Sequence, residues 1–362
     1  MFLKKNKQNS NNNNQKPTKI IVPENLLAAE AYNLAKKFLD LAEAKILICH
    51  LTGLSPTNLI THGSDDNYRL EKSQTKLLKN ALQRRQKKEP LAYILGETEF
   101  FGFKFKVNKS VLIPRQETED LLNLCVKKIQ EKIDDERINP QDIKILELGT
   151  GSGILSICLR QIFPKIIIHS TDISGKALKV AKINEDYVKE QNAENLENLE
   201  NLENLENLEN LENLENLENL ENYQQIQFFK GSWFKAILDK SLWKNLLAKM
   251  QPENSNNQFS RYDLILANPP YIAENSEFLQ NLTFEPQTAL VAKEDGIADI
   301  KNIVENAPIF LKANGWLMFE HGHDQGKISQ VLLAKNGFEK IFTHNDLSDL
   351  PRVSGGKMPI IE

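Results

Sequence analysis

The chain has 362 residues, of which 40% are apolar and 26% charged, with a formal net charge of -4. That length allows two ordinary domains with a substantial core, and the balance is that of a globular protein rather than a fibrous or disordered one. No apolar run is long enough to cross a bilayer, and three scattered cysteines, Cys49, Cys125 and Cys158, argue against a disulfide framework or a zinc site.

Residues 1–22 contain five lysines, no acid and an asparagine tract. Without an apolar stretch they read as a disordered leader rather than a secretory signal. Residues 23–95 read as a helical domain. Apolar side chains recur at three- and four-residue spacing over 25–43, a second helix reaches Leu51, Gly53 and Pro56 interrupt, and a third helix covers 69–86. Phe100, Phe101, Phe103, Phe105 and Val107 give 97–112 the alternation of a hairpin, within a linker at 96–118. Across 119–362 strand and helix patterns alternate: strand 145–148, helix 154–162, strand 166–171, helix 176–188, strand 225–230 and strand 264–267. Such alternation predicts a doubly wound α/β domain, a mostly parallel sheet with helices on both faces.

Within that domain, residues 195–221 are nine copies of Asn-Leu-Glu. A helix turns about 100° per residue, so leucines three apart drift about 60° per repeat and never build one apolar face. The spacing is not a heptad, and the glutamates repel, so the segment reads as a solvated insertion. Removing its nine acids takes the net charge from -4 to +5 (-4 + 9), so the rest of the chain is mildly basic. That tolerates an acidic or RNA-rich partner without requiring one.

Four strand ends carry residues suited to chemistry. After strand 145–148 comes Gly149-Thr150-Gly151-Ser152-Gly153. Position 154 is isoleucine, so the dinucleotide spacing G-x-G-x-x-G is not met, and the tighter G-x-G-x-G form stands instead. After the second strand, Asp172 is placed either to accept two ribose hydroxyls or to cap the next helix. After the third, Trp233 is either a face for an adenine or a core aromatic. At the end of strand 264–267 stands Asn268-Pro269-Pro270-Tyr271. Proline holds the preceding residue extended, so the Asn268 amide, rigid carbonyls and the Tyr271 ring either cradle a planar NH2 group or merely close a strand. Glu117 and Glu119 could touch a ligand or simply start a helix. His321 and His323 alternate at a strand end and could face the same way, but lack a third ligand at metal spacing, so no metal is expected.

Together these residues resemble the release factor glutamine methyltransferases, the HemK/PrmC family, from about residue 24 onward. The likeness also takes in Ile113-Pro114-Arg115-Gln116-Glu117-Thr118-Glu119, Phe284-Glu285-Pro286, Ala289-Leu290, Asp295-Gly296, Phe319-Glu320-His321-Gly322 and Asp346-Leu347. The family usually has proline where Gln116 stands and aspartate where Ser232 stands. The resemblance implies a seven-stranded, Rossmann-like S-adenosylmethionine-dependent methyltransferase domain behind the helical domain and hairpin. It implies methyl transfer to the glutamine of the Gly-Gly-Gln loop in peptide chain release factors, with the helical domain gripping that protein. Asn268, Pro269, Pro270 and Tyr271 become the catalytic residues; Gly149, Thr150, Gly151, Ser152, Gly153, Asp172, Trp233 and Asn268 the cofactor residues. A cytoplasmic monomer needing neither membrane nor nucleic acid is expected. Two other substrates share the tetrad: a glutamine on a ribosomal protein, and the amino group of adenine in DNA. The only dense basic cluster available for DNA is Arg84-Arg85-Gln86-Lys87-Lys88.

Overall fold

The computed structural model describes residues 20–202, 224–238 and 261–360. Residues 1–19 of the leader and the repeat from residue 203 onward lie outside them. The chain divides into two compact units, 1–95 and 96–362.

The first unit is helical: α1 (Ala28–Ala35), α2 (Leu41–Thr52), α3 (Pro56–Thr61), α4 (Lys72–Gln86) and α5 (Leu91–Leu95). Ala28, Ala31, Ala35, Leu47, Ile48, Leu78 and Leu82 form its buried centre. The single helix expected over 25–43 is broken. Asp40 caps α2 by accepting from the Glu43 N–H at 2.8 Å, and a cap with extended backbone cannot lie inside a continuous helix. Helix α4 starts at Lys72 rather than Arg69, because the Gln74 side chain accepts from the Glu71 N–H in a capping box. Gly53 ends α2 with φ 73, whereas Pro56 opens α3. Two members of the basic cluster are already paired, Arg84 with Glu89 and Arg85 with Glu43, each at 2.8 Å. The cluster is thus a poorer DNA-reading surface than its sequence suggests.

The second unit opens with a hairpin of β1 (Glu97–Phe100) and β2 (Phe103–Lys106). Phe101 and Gly102 both take positive φ, 51° and 78°, the turn whose twist suits a two-residue hairpin. Pairing ends at Glu97–Lys106, so 107–112 lie beyond the ladder the alternation predicted. There follow α6 (Thr118–Asp134), β3 (Lys144–Leu148), α7 (Ile154–Ile162), β4 (Ile167–Asp172), α8 (Gly175–Leu202), β5 (Gln227–Lys230) and β6 (Tyr262–Ala267). The two-residue strands β7 (Ile272–Ala273) and β8 (Val291–Ala292) pair with each other, before α9 (Ala298–Phe310), β9 (Leu311–Glu320), α10 (Gly326–Lys335), β10 (Glu339–Asn345) and β11 (Pro351–Lys357).

Seven strands form one sheet in the order β10-β11-β9-β6-β3-β4-β5. Strands β9, β6, β3, β4 and β5 run parallel, while β11 lies antiparallel to both β9 and β10. Every residue of β6 is buried, as a central strand covered on both faces must be. Leu264 and Leu266 face the core under α6 and α7; Ile265 and Ala267 face the core under α9. From β3 the chain winds outward through β4 to β5, then returns to place β6 on the other side of β3. That reversal leaves a crevice at the carboxyl ends of β3 and β6, where open α/β sheets bind ligands.

Candidate active site

A cavity of about 350 Å3 occupies this crevice. Its lining includes Gly149, Thr150, Gly151 and Ser152 after β3, Asp172 at the end of β4, Trp233 after β5, and Asn268 and Pro270 after β6. Seven of those eight residues come from the glycine loop, the second strand end and the tetrad, with Trp233 the eighth; the fold brings them to one place. Gly153, Pro269 and Tyr271 are not on this lining.

The glycine loop is shaped by its neighbours. Gly153 takes φ 87, and a Cβ there would meet Ile157 Cδ1 at 2.8 Å and Ala181 Cβ at 3.1 Å, so the position lets α7 and α8 pack closely. Gly151 takes φ 57, yet a Cβ there would meet nothing within 4 Å; its open side leaves room for a ligand to approach the backbone. Beneath the loop, the buried Glu147 carboxylate accepts from the Thr150 hydroxyl at 2.6 Å, from the Ser170 hydroxyl at 3.3 Å and from Ser156. Burial pushes its carboxyl up to about 7, against the pull of those hydroxyls.

Asp172 accepts from the Gly151 N–H at 2.9 Å and the Ser174 N–H at 2.7 Å. Each oxygen keeps a second lone pair. The cap of the following helix is instead Ser174, whose hydroxyl accepts from the Ala177 N–H at 3.1 Å. Burial raises the Asp172 carboxyl above its ordinary range, while the two backbone donors pull it back. Trp233 takes φ 46, a costly conformation for a bulky side chain, and its indole N–H donates to Asp299 Oδ1 at 3.2 Å. Ser232 and Asp299 also line the cavity, so a carboxylate is present at the Trp233 edge although Ser232 is not one.

The tetrad sits on a second buried carboxylate. Asn268 Nδ2 donates to Glu320 Oε2 at 2.9 Å and to Thr118 Oγ1 at 3.2 Å. The Thr118 hydroxyl donates to the same Glu320 oxygen at 2.8 Å, and the Tyr271 hydroxyl donates to Glu320 Oε1 at 3.1 Å. Burial pushes the Glu320 carboxyl up to about 7, and burial first, then that carboxylate, pushes the Tyr271 phenol up as well. The Tyr271 carbonyl is held by Gln325 Nε2 at 3.1 Å, and a Cβ on Gly296 would strike that carbonyl oxygen at 2.2 Å. Arg115 and the Ile113 N–H both bind the buried Glu285, tying the segment before α6 to the loop after the tetrad.

The sequence alone assigns no role to Glu147, Glu285, Asp299, Thr118 or Glu320. For Glu320 a signal exists: it is an acid closing the apolar run Trp316-Leu317-Met318-Phe319. His321 and His323 do not share a face. His321 is buried against Ser354 Oγ and the Gly322 carbonyl, each at 2.8 Å, whereas His323 is exposed, because β9 ends at Glu320 and the alternation ends with it.

An acceptor-lined crevice with an approachable glycine loop on one side and a fixed amide on the other suits transfer of a small group to a planar NH2. Comparison with known proteins bears on which transfer. The model of the PrmC N-terminal domain matches residues 30–96, and that of the ribosomal protein L11 methyltransferase (PrmA) matches 121–213. A release factor glutamine methyltransferase from Vibrio cholerae is 33% identical over 87% of this chain and 88% of its own length. One from Haemophilus influenzae is 32% identical over 87% and 90%, and one from Coxiella burnetii 32% identical over 78% and 80%. At such identity over most of both chains, the protein belongs to the release factor glutamine methyltransferase family, whose cofactor is S-adenosylmethionine.

Proposed function

We propose that this chain moves a methyl group from S-adenosylmethionine to the side-chain amide nitrogen of the glutamine in the Gly-Gly-Gln loop of peptide chain release factors. The observation that carries the reading is the Asn268 amide, whose NH2 is tied inward to Glu320 and Thr118 and whose Oδ1 is left to accept at the cavity wall.

The lining fits the donor. Gly149, Thr150, Gly151 and Ser152 offer backbone a ligand can approach, with Gly153 holding the loop against the helices. Asp172 offers lone pairs to two ribose hydroxyls, and Trp233 a ring face to adenine. When bound, S-adenosylmethionine supplies an electrophilic methyl on its sulfonium. A glutamine amide nitrogen is a weak nucleophile, since its lone pair is shared with the carbonyl. Asn268 Oδ1 and the Pro269 carbonyl each accept one substrate N–H, which returns density to the nitrogen and fixes the lone pair's direction. Pro270 stiffens that turn and Tyr271 flanks the amide. The substrate nitrogen sheds its proton after the transfer, so the lining needs no strong base.

Residues 23–95 are assigned to gripping the substrate protein and 96–118 to a linker, supported by the PrmC N-terminal match over 30–96. A cytoplasmic setting is assigned on the three free cysteines, which suit a reducing compartment. The ribosomal protein L11 methyltransferase match, confined to 121–213, keeps a ribosomal protein as the second substrate class.

The test offers labelled S-adenosylmethionine with a release factor, ribosomal protein L11 and duplex DNA in parallel. Label should enter the release factor; label entering only L11 or DNA would replace this reading with one of the others.

A further inference from the structure

An asparagine amide can present either its oxygen or its NH2 by turning about one bond, and only the oxygen suits a substrate NH2. Its surroundings must therefore make the choice. Both hydrogens of Asn268 Nδ2 are directed at protein acceptors, Glu320 Oε2 at 2.9 Å and Thr118 Oγ1 at 3.2 Å. The Thr118 hydroxyl spends its own hydrogen on Glu320 Oε2, so towards Asn268 it can only accept. A turned amide would set Asn268 Oδ1 against a carboxylate oxygen and a hydroxyl oxygen with no hydrogen to share. Glu320 is 1% exposed, so water would not relieve that repulsion.

Resting on the reading of the site above, we propose that Glu320 is the positioning residue of the transfer: as an acceptor it locks the Asn268 NH2 inward and so turns Oδ1 towards the substrate amide. Glu320 reaches this place by register. Strands β6 and β9 pair Ala267 with Phe319, and the next residue on each is Asn268 and Glu320. Thr118 at the start of α6 supplies the second acceptor, and Tyr271 occupies the far oxygen of Glu320, leaving Oε2 to Asn268 and Thr118. The loop after β6, the end of β9 and the start of α6 thus converge on one atom.

The chemistry of the lock sets its test. Glu320→Gln can keep an amide oxygen on Asn268 and give its NH2 to Tyr271, so it should retain at least about a tenth of turnover. Glu320→Met removes the acceptor and should lower kcat at least about 100-fold, with S-adenosylmethionine affinity within about threefold of the parent. Asn268→Asp sets two carboxylates face to face and should be crippled. Adding Glu320→Gln to it supplies an NH2 that donates to the new carboxylate and leaves its other oxygen facing the substrate. That double variant should recover turnover at least about tenfold over Asn268→Asp alone, a recovery no loss of stability predicts. Parental turnover in Glu320→Met, or a double variant no faster than Asn268→Asp while both bind S-adenosylmethionine, would overturn the proposal. If Glu320→Met does not fold, the comparison of Asn268→Asp with the double variant decides alone. All rates are read on whichever substrate the parent protein labels, so a mistaken substrate and a mistaken lock give different results.

Discussion

Two buried carboxylates flank the same crevice, and their differences are instructive. Glu147 under the glycine loop and Glu320 under the Asn-Pro-Pro-Tyr tetrad are each raised to about 7 by burial, and each takes three donors. Those of Glu147 are all hydroxyls, from Thr150, Ser156 and Ser170. A hydroxyl can donate or accept by turning, so this carboxylate fastens a loop without selecting an orientation. Glu320 takes two hydroxyls and one amide NH2, and an NH2 can only donate. Equal burial and equal charge thus yield a fastener in one place and a selector in the other.

The sharpest way to break this comparison is to remove one donor from each side. Asn268→Ala should lower kcat about 100- to 1,000-fold, the range for losing one preorganised polar group at a reacting centre, while S-adenosylmethionine affinity changes little. Thr150→Ala should instead cost about 1 kcal/mol of stability and weaken cofactor binding more than kcat, as read by denaturant melts and calorimetry. Equal loss of turnover and cofactor affinity in Asn268→Ala would move that residue to the cofactor's side.

The glycines above Glu147 sharpen the same contrast. Gly153→Ala meets side chains at 2.8 and 3.1 Å and should destabilise the fold by about 1–3 kcal/mol. Gly151→Ala meets open space, so beyond a backbone cost of about 1 kcal/mol its effect should fall on cofactor affinity. If the two variants behave alike in melts and in binding, the loop has not been divided correctly into a packing glycine and a ligand-facing one.

Proton linkage gives a smaller effect. A carboxyl whose folded value is raised from 4.5 to about 7 favours the folded state below about pH 4.5, and that contribution is lost as pH rises through about 7. Relative to Glu147→Gln, the parent should therefore lose stability between about pH 4.5 and 7, at up to about 1.4 kcal/mol per pH unit, with the difference levelling off above that. A difference independent of pH would show that Glu147 does not carry the shift. The smallest effect is expected from deleting residues 195–221, which should leave turnover within about twofold; a collapse would give the repeat a function.

The glycine loop, Asp172, Trp233 and the tetrad were legible because each signal is local, a strand pattern ending in residues with a chemical bias. Their partners were not. Asn268 and Glu320 lie 52 residues apart, Trp233 and Asp299 66, Arg115 and Glu285 170, Thr118 and Glu320 202. Those meetings depend on strand register and on loops returning to the sheet, which periodicity does not encode. The same limit explains the helix read over 25–43: apolar spacing runs through Asp40, and only the cap hydrogen bond reveals the break. Tyr271 was legible as an aromatic wall, whereas the contact of its hydroxyl with Glu320 was not.

The most direct measurement is peptide mass spectrometry of a release factor after incubation with the parent protein and S-adenosylmethionine. One methyl group on the side chain of the Gly-Gly-Gln glutamine, absent when Asn268→Ala replaces the parent, is the predicted result. A methyl on any other residue, or an unmodified glutamine beside a labelled ribosomal protein, would contradict the account.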